Sequence, residues 1–549
     1  MKVSFKNILA LVVLANISLG VFAQKKVKAD SALNRTITVE NEYIPDLMSV
    51  TKVNVLPTTK QMEATKLPVK YEMNPIADYK IKNHTIEPFT LNLAKLPFNK
   101  GYLGVGYGNN GNFDLKAGYL FKSSEKDKWM TDLSVSGFNA ILRVPLDSSF
   151  NWTSKYFRSS INESYQHLFK TWNLSVIGHL GYQGNNYINE KAAEAKTDKS
   201  SDFSIRSLFH SNSNSLPIQF NAEAAIMGYN HPTQLHETDI RLMGDFWTPF
   251  SADTTNNTFG LKFRMDHFSY SSNNWSNEIS FQTNPYLKLI SSDKYSIRLG
   301  LHADFANKGT RLQLSPDLQF KINILDKLVA YSTITGGREI NDFYSLNSFS
   351  PYWGKDSLEI KDSYVKSNIR LGLNGCLVSG LWMNLYGGYE WKKNDLIVRG
   401  LLNSNNNLYL SLGNADTEHG YLGFDLKYDF EELFEVYASG LYNHWTNTSL
   451  NSLLQKKRFE WKLGGEYNFN RKLSVNADYN IIIYQSAVLT SGMYRMPAVN
   501  SLGVGMDYKL LNYLSVNAHI SNLFNRRYQD FYGYPAQKLN FLVGVSFRF

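Results

Sequence analysis

The chain has 549 residues, a formal net charge of +9 and a mean hydropathy of −0.32, and 14% of its residues are aromatic. The positive charge is spread along the chain without a basic block, so we expect no nucleic-acid partner. A single cysteine, Cys376, excludes an internal disulfide framework and a cysteine-based metal cluster. The hydropathy is too low for a helical membrane protein, whereas the aromatic content suits a protein of many strands.

The N-terminus has the three parts of a secretory signal peptide. Lys2 and Lys6 precede an apolar run from Ile8 to Val21, and a small-residue cleavage site follows at Ala23. The alternative, a membrane anchor, is weaker because the apolar run is too short to span a bilayer comfortably. We therefore expect residues 1–23 to be a signal peptide and the mature chain to be exported.

Residues 24–97 are irregular and rich in proline. Prolines recur through this segment without any alternation of strand and helix patterns, and they interrupt both helices and central strands. We interpret the segment as an extended arm, placed either in the periplasm or in the lumen of a barrel.

From Gly101 onward, apolar and polar residues alternate in one segment after another. In residues 297–305, the odd positions are Ile, Leu, Leu, Ala and Phe, and the even positions are Arg, Gly, His and Asp. A period of two places one set on each face of a strand. Because the pattern recurs with no helical interlude, the sequence predicts an all-β chain.

The connections between these segments alternate in length. Lys170-Thr171 and Glu431-Glu432 are tight turns, whereas Asn341–Lys361 and Arg399–Asn406 belong to the longer connections. Short turns at one end and long loops at the other are typical of outer-membrane barrels. We predict a transmembrane antiparallel β-barrel of about 22 strands over residues 98–549, preceded by the extended arm.

A soluble sandwich or propeller is the alternative fold. The predicted strands are longer than those of most soluble sheets, and a polar inner face with an apolar outer face requires lipid outside. The segments Asn151–Phe169 and Tyr364–Leu377 exceed the length that crosses the hydrocarbon, so they should project beyond the membrane.

The last segment, Leu539–Phe549, has one wholly apolar face. A strand that closes a barrel in lipid exposes such a face and pairs with the first strand, here near Gly101. The residues of this apolar face are Phe541, Val543, Val545, Phe547 and Phe549.

The residues Ile520–Tyr528 and Gly533–Pro535, with the final strand, resemble the end of a TonB-dependent receptor barrel. That family commonly carries an Asn-Leu-Phe-Asn-x-x-Tyr pattern, found here at 522–528, before a last strand that ends in Phe. The export signal together with the many Tyr and Asn residues also resembles outer-membrane proteins of the Bacteroidetes. The resemblance implies a Gram-negative outer membrane, contact with its lipid, and insertion by the barrel-assembly machinery. It also implies that this machinery reads the apolar face of the last strand, Phe541 to Phe549, as a C-terminal assembly signal. Such receptors carry a globular plug ahead of the barrel, and we recognise none in Gln24–Pro97.

A short segment of the arm resembles a TonB box, which pairs with TonB as an added strand. The segment consists of Thr36, Ile37, Thr38, Val39 and Glu40. It is a candidate docking strand for TonB or for another envelope protein.

The longest predicted loop, Asn341–Lys361, carries five aromatic residues. They are Phe343, Tyr344, Phe349, Tyr352 and Trp353. They suit a lid or a sugar-stacking surface that contacts a solute; alternatively, they fold inward and fill the bore.

No catalytic pattern is present. The 11 histidines form no His-x-x-x-His pair, and no Gly-x-Ser-x-Gly elbow occurs. His302 and Asp304 share the polar face of one strand, and Arg264 and Asp266 share that of another, which predicts lumenal pairing and weak ion selectivity. We assign no catalytic, cofactor-binding or metal-binding residue and expect a protein that is not an enzyme.

Two functions are compatible with these features. The first is porin-like passage or binding of a solute across the outer membrane. The second is a structural or assembly subunit that docks other envelope proteins through its arm and loops.

Overall fold

A computed structural model describes residues 100–549 apart from short gaps. The gaps are 146–150, 190–196, 213–215, 233–234, 251–256, 272–274, 292–293, 326, 355–359, 432, 447 and 471. The predicted signal peptide, the arm at 24–97 and its segment Thr36–Glu40 lie outside the described residues. Within the described residues, no helix combines the length and the hydropathy needed to cross a membrane.

Most of the described residues form β-strands, which are numbered here in chain order. Their bounds are β1 Gly101–Gly108, β2 Phe113–Ser123, β3 Asp127–Arg143, β4 Asn151–Leu168, β5 Trp172–Asn185, β6 Ile188–Asn189, β7 Asp198–Ser211, β8 Gln219–His231, β9 Leu235–Pro249, β10 Thr258–Tyr270, β11 Glu278–Ser291, β12 Tyr295–Ala306, β13 Leu312–Leu325, β14 Leu328–Glu339, β15 Ser363–Val378, β16 Leu381–Ser404, β17 Asn407–Phe430, β18 Phe434–Thr446, β19 Lys457–Asn468, β20 Leu473–Tyr484, β21 Ser486–Leu489, β22 Gly492–Arg495, β23 Val499–Leu511, β24 Leu514–Ser521, β25 Gln529–Phe531, β26 Tyr534–Pro535 and β27 Asn540–Arg548. One α-helix, α1, spans Phe343–Phe349.

The long strands close into an antiparallel barrel of 22 strands, as the sequence predicts. Five short strands, β6, β21, β22, β25 and β26, are not among those 22. The barrel closes where β27 pairs with β1, with Val545 opposite Val105. The backbone nitrogen of Gly101 donates to the carbonyl of Phe549 at 2.7 Å, and that of Phe549 donates back at 2.9 Å. Closure satisfies the hydrogen-bonding groups that an open sheet edge would leave unpaired in lipid.

The outer face of the barrel is apolar and the inner face is polar. In β27, Phe541, Val543 and Val545 are exposed, whereas Asn540 and Ser546 on the opposite face are buried. Exposed apolar side chains that recur on most of the long strands would make a soluble protein aggregate, but they match a hydrocarbon environment. The predicted alternation and the predicted lipid-facing phase of the last strand are therefore confirmed.

Aromatic side chains gather on the outer face near the short turns. Phe121 lies 5.1 Å from Trp129 across the turn between β2 and β3, and Phe430 lies 5.4 Å from Phe434 across another, measured between ring centroids. Aromatic girdles of this kind mark a membrane interface in outer-membrane barrels. We call this end of the barrel the inner end, and the end with the longer connections the outer end.

One predicted connection is wrong. Residues Arg399–Asn406 were expected to form a loop, but Arg399–Ser404 form the last part of β16 and only Asn405 and Asn406 form the turn. Strands β16 and β17 are each 24 residues long. Their hairpin turns at Asn405 and Asn406, whose φ angles are 54° and 64°. Asparagine tolerates this left-handed backbone, which a two-residue hairpin turn requires, so polar residues that resemble a loop form a tight turn. Strands of this length project well beyond the hydrocarbon.

Candidate functional site

The connections at the outer end pack together into one buried apolar cluster, which we call the cap. Among the described residues, every outer hairpin except β1–β2 and β12–β13 contributes residues of its connection or of its strand ends. Its largest members are Trp152, Tyr187, Tyr229, Trp275, Phe343, Leu346, Tyr352, Trp353, Leu410, Leu412, Leu454, Tyr484, Phe531 and Tyr534. Because these residues come from strands far apart in the barrel wall, the cap joins opposite parts of the rim.

The aromatic residues of the long loop occupy two environments. Phe343 and Trp353 are fully buried and Tyr352 is nearly so, whereas Tyr344 is 49% exposed and Phe349 packs partly against the cluster. The Phe343 ring centroid lies 5.5 Å from that of Trp353, in the middle of the cap. Three of the five residues therefore pack inward, and Tyr344 is the one that faces solvent. The helix α1 that carries Phe343 and Tyr344 was not predicted from the sequence.

The projecting half of the β16–β17 hairpin is the surface on which the other loops dock. Leu410 of β17 donates its backbone N–H to the carbonyl of Tyr352 at 2.8 Å and pairs with Trp353 in a parallel bridge. The Tyr534 hydroxyl donates to the carbonyl of Leu408. Strand β6 also pairs with the first residues of β17. Three separate connections thus meet on one hairpin.

Two carboxylates hold the start of α1. Asp342 Oδ1 accepts the backbone N–H of Ser345 at 2.7 Å, as an N-cap residue does. Glu237 Oε2, from β9, accepts the backbone N–H of Phe343 at 2.6 Å. Burial raises the pKa of the Asp342 carboxyl above its ordinary value. These contacts anchor the long loop to the barrel wall beneath it.

A buried ion pair anchors a second loop. Lys456 Nζ lies 2.5 Å from Asp395 Oδ2, and only 7% of the lysine side chain is exposed. The Thr417 hydroxyl donates to the same carboxylate oxygen at 2.9 Å. The pair joins the β18–β19 connection to the projecting hairpin, since Asp395 belongs to β16.

Ion pairs also cover the inward-facing surface of strands β7–β12, the lumenal wall. Arg264 Nε lies 2.6 Å from Asp266 Oδ2, and Arg241 Nε lies 2.7 Å from the other oxygen of the same carboxylate. This agrees with the predicted lumenal pairing. His302 is oriented differently from the expectation, because its Nε2 lies 2.8 Å from the Asn284 side-chain nitrogen. Its strand neighbour, Asp304, is not its partner in that contact.

A cavity of about 490 Å³ opens on this wall, toward the inner end of the barrel. Six strands contribute to it, and its polar lining includes Glu223, Asp245, Lys262, Arg264, Asn284 and His302. The alternation in the sequence placed Arg264 and His302 on the inward face of their strands. It did not reveal the cavity, because the cavity depends on how six neighbouring strands are staggered. Among the described residues, no group of three or more His, Cys, Asp or Glu is arranged to hold a metal ion.

No protein-family model and no curated protein matches the chain. Solved structures do. A ferric enterobactin receptor from Pseudomonas aeruginosa matches with a TM-score of 0.62 and 13% sequence identity, over 82% of this chain and 80% of that one. A siderophore receptor from Acinetobacter baumannii matches with a TM-score of 0.62 and 12% identity, over 82% and 80%. An iron transporter, FrpB, from Neisseria meningitidis matches with a TM-score of 0.61 and 12% identity, over 82% of each chain.

At these identities the likeness concerns the fold alone. The match covers most of this chain and most of each matched chain. The chain therefore has a TonB-dependent-receptor-like fold, that of an outer-membrane β-barrel.

Proposed function

We propose that the protein resides in the outer membrane of a Gram-negative bacterium, after signal-peptide cleavage near Ala23, and binds or passes a small solute through its lumen. The observation that carries this proposal is a cavity, lined in part by charged and polar side chains, on the lumenal wall of a barrel whose outside is apolar. A wall used only as an anchor needs no solvent-sized space between its inward side chains. Neighbours named as siderophore receptors and iron transporters support passage of a solute.

The cap is the gate of this passage. Its packed aromatic residues obstruct the outer end, so a solute enters when loops of the cap separate.

The arm at residues 24–97 is the connection to the periplasm. The segment Thr36–Glu40 has the β-prone composition of a strand that adds to the edge of a partner sheet, and we assign it to TonB or another envelope protein. Deleting residues 36–40 should reduce partner capture in cells while barrel assembly is unchanged. Unchanged capture would remove the docking role from this segment.

The test of passage is flux through proteoliposomes that contain the refolded, full-length mature chain. Swelling in neutral sugars of increasing size measures the rate and the size limit for entry through the lumen. We expect slow, size-limited swelling above that of protein-free liposomes. Swelling equal to that of protein-free liposomes, from protein shown to be folded, would overturn passage.

The second candidate function is a structural or assembly subunit. The extensive packing of the cap favours it, because loops that form a core can also present a fixed outer surface to a partner. Affinity purification of the native complex distinguishes the two functions. Surface lipoproteins or assembly factors recovered at a fixed ratio would favour the subunit, whereas an isolated monomer would exclude it.

A further inference from the structure

The cations and the carboxylates of the lumenal wall differ in exposure. Near the cavity, each carboxylate lies deeper than the cation with which it pairs. The side-chain exposures are 41% for Arg206 against 6% for Glu223, 47% for Lys262 against 21% for Asp245, and 31% for Arg264 against 0% for Asp266. A count of the cations and carboxylates on the wall therefore does not describe the surface that a solute contacts, because the cations are more exposed than the carboxylates.

This layered arrangement makes the accessible surface cationic. A carboxylate that is buried behind an arginine has its oxygens occupied by hydrogen bonds, as Asp266 has with Arg241 and Arg264. The exposed ends of the cations lie nearer to a solute, and Coulomb interaction falls with distance and with intervening polarisable groups. A wall lined by exposed charge of one sign also concentrates counter-ions in a narrow lumen.

Neutral groups at the cavity add both kinds of hydrogen bond. The side-chain nitrogen of Gln282 and the side-chain oxygen of Asn284 line the cavity, are buried, and have no hydrogen-bond partner. The first is a free donor and the second a free acceptor. A ligand that satisfies both needs an acceptor and a hydroxyl or amine donor in addition to its charge.

We propose that this cavity binds a small anionic, hydroxyl-bearing solute, of the hydroxycarboxylate or sugar-phosphate type. The proposal rests on the proposed function and names its substrate class. It differs from the weak ion selectivity expected from the mixed charges of the sequence, because selectivity depends on which charges are accessible.

The chain provides a matched control at another lumenal lysine. Lys427 is 42% exposed and lies 3.5 Å from Asp429 and 3.1 Å from Glu435. Those two carboxylates are 49% and 44% exposed, so the charges there are equally accessible. This site should not attract anions.

The test is calorimetric titration of the purified full-length mature protein in detergent micelles with citrate, with sorbitol as the uncharged polyol. We expect saturable citrate binding that weakens as salt is added, and no binding of sorbitol. Lys262→Gln should weaken citrate binding about tenfold or more, because it removes the most exposed cation at the cavity and leaves the Asp245 charge without its cation. Asp245→Asn should strengthen binding several-fold, and Lys427→Gln should change it less than twofold.

Circular dichroism and heat-modifiable migration on gels verify that each variant is folded. Absent citrate binding, equal binding of sorbitol, or equal effects of Lys262→Gln and Lys427→Gln would overturn the anion site. Swelling in a neutral pentose, measured on the same preparation, reports passage separately. Passage without citrate binding defeats only the anion assignment, whereas citrate binding without passage defeats only the transport proposal.

Discussion

Phe343→Ala should open the cap without disrupting the barrel. The Phe343 ring is fully buried, and its centroid lies 4.8 Å from that of Trp275 and 5.0 Å from that of Tyr270. Truncation of a buried phenylalanine to alanine costs about 3–5 kcal/mol. The lost contacts belong to a loop, so the cost falls on local opening of the cap and not on the pairing of the barrel strands. Even about 3 kcal/mol raises the population of an open state by roughly a hundredfold.

The assay is the initial swelling rate of proteoliposomes in a neutral pentose. We expect the Phe343→Ala protein to swell at least tenfold faster than the wild type, with unchanged circular dichroism and heat-modifiable migration. Tyr344→Ala is the matched control, since the two residues are adjacent on α1 and lose rings of similar size. Because Tyr344 is half-exposed, its variant should swell within about twofold of the wild type. Equal rates for the two variants would refute the cap as the gate.

Three further predictions concern separate parts of the molecule. Phe549 is 54% exposed and pairs with Gly101. Its deletion removes about 1 kcal/mol of apolar burial and two hydrogen bonds, so we expect surface assembly in cells to fall more than the stability of the refolded protein. Burial raises the pKa of Asp530 to about 7. This carboxyl therefore stabilises the cap fully below about pH 4, and that contribution is lost as the pH rises through about 7. We expect the protein to swell faster at pH 8 than at pH 5. Lys456→Met leaves Asp395 buried without its closest cation and should destabilise the cap by about 3 kcal/mol, measured by hydrogen exchange.

Each of these predictions has its own control. Normal surface assembly of the Phe549 deletion would deny the last strand its role as an assembly signal. Asp530→Asn should abolish the difference in swelling between pH 5 and pH 8; a difference that persists would assign the pH dependence to another group. Lys456→Met with Asp395→Leu should recover part of the lost protection, and a double variant less protected than the single one would contradict the desolvation argument.

The barrel could be predicted from the sequence because its determinants are local. The alternation in β27 is set by the two sides of one strand, and it gave the lipid-facing phase and the closing partner correctly. The turn at Asn405-Asn406 was predicted to be a loop because polar residues occur in both long loops and tight turns. The left-handed backbone that distinguishes this turn cannot be deduced from the amino-acid composition.

The site could be predicted only in part, because it depends on contacts between distant strands. Arg264 and Asp266 were correctly expected to share a lumenal face. Their unequal exposure arises from Arg241, which approaches the same carboxylate from the neighbouring strand. The burial of Trp353 likewise depends on Leu410, 57 residues later in the chain, so no local pattern distinguishes an inward-packed loop from an exposed one.

A reversible cross-link across the cap tests the central claim, that solute passes through the lumen when the cap opens, most directly. Asn189 of β6 faces Asn407 of β17 in an antiparallel pair, and their side chains are hydrogen-bonded at 2.8 Å. Facing residues of such a pair have the separation that a disulfide requires. The protein to be measured carries Asn189→Cys and Asn407→Cys, with the native thiol removed by Cys376→Ser. We predict that pentose swelling is no faster than that of protein-free liposomes when this protein is oxidised, and returns to the wild-type rate on reduction. Equal swelling in the two states would contradict the account.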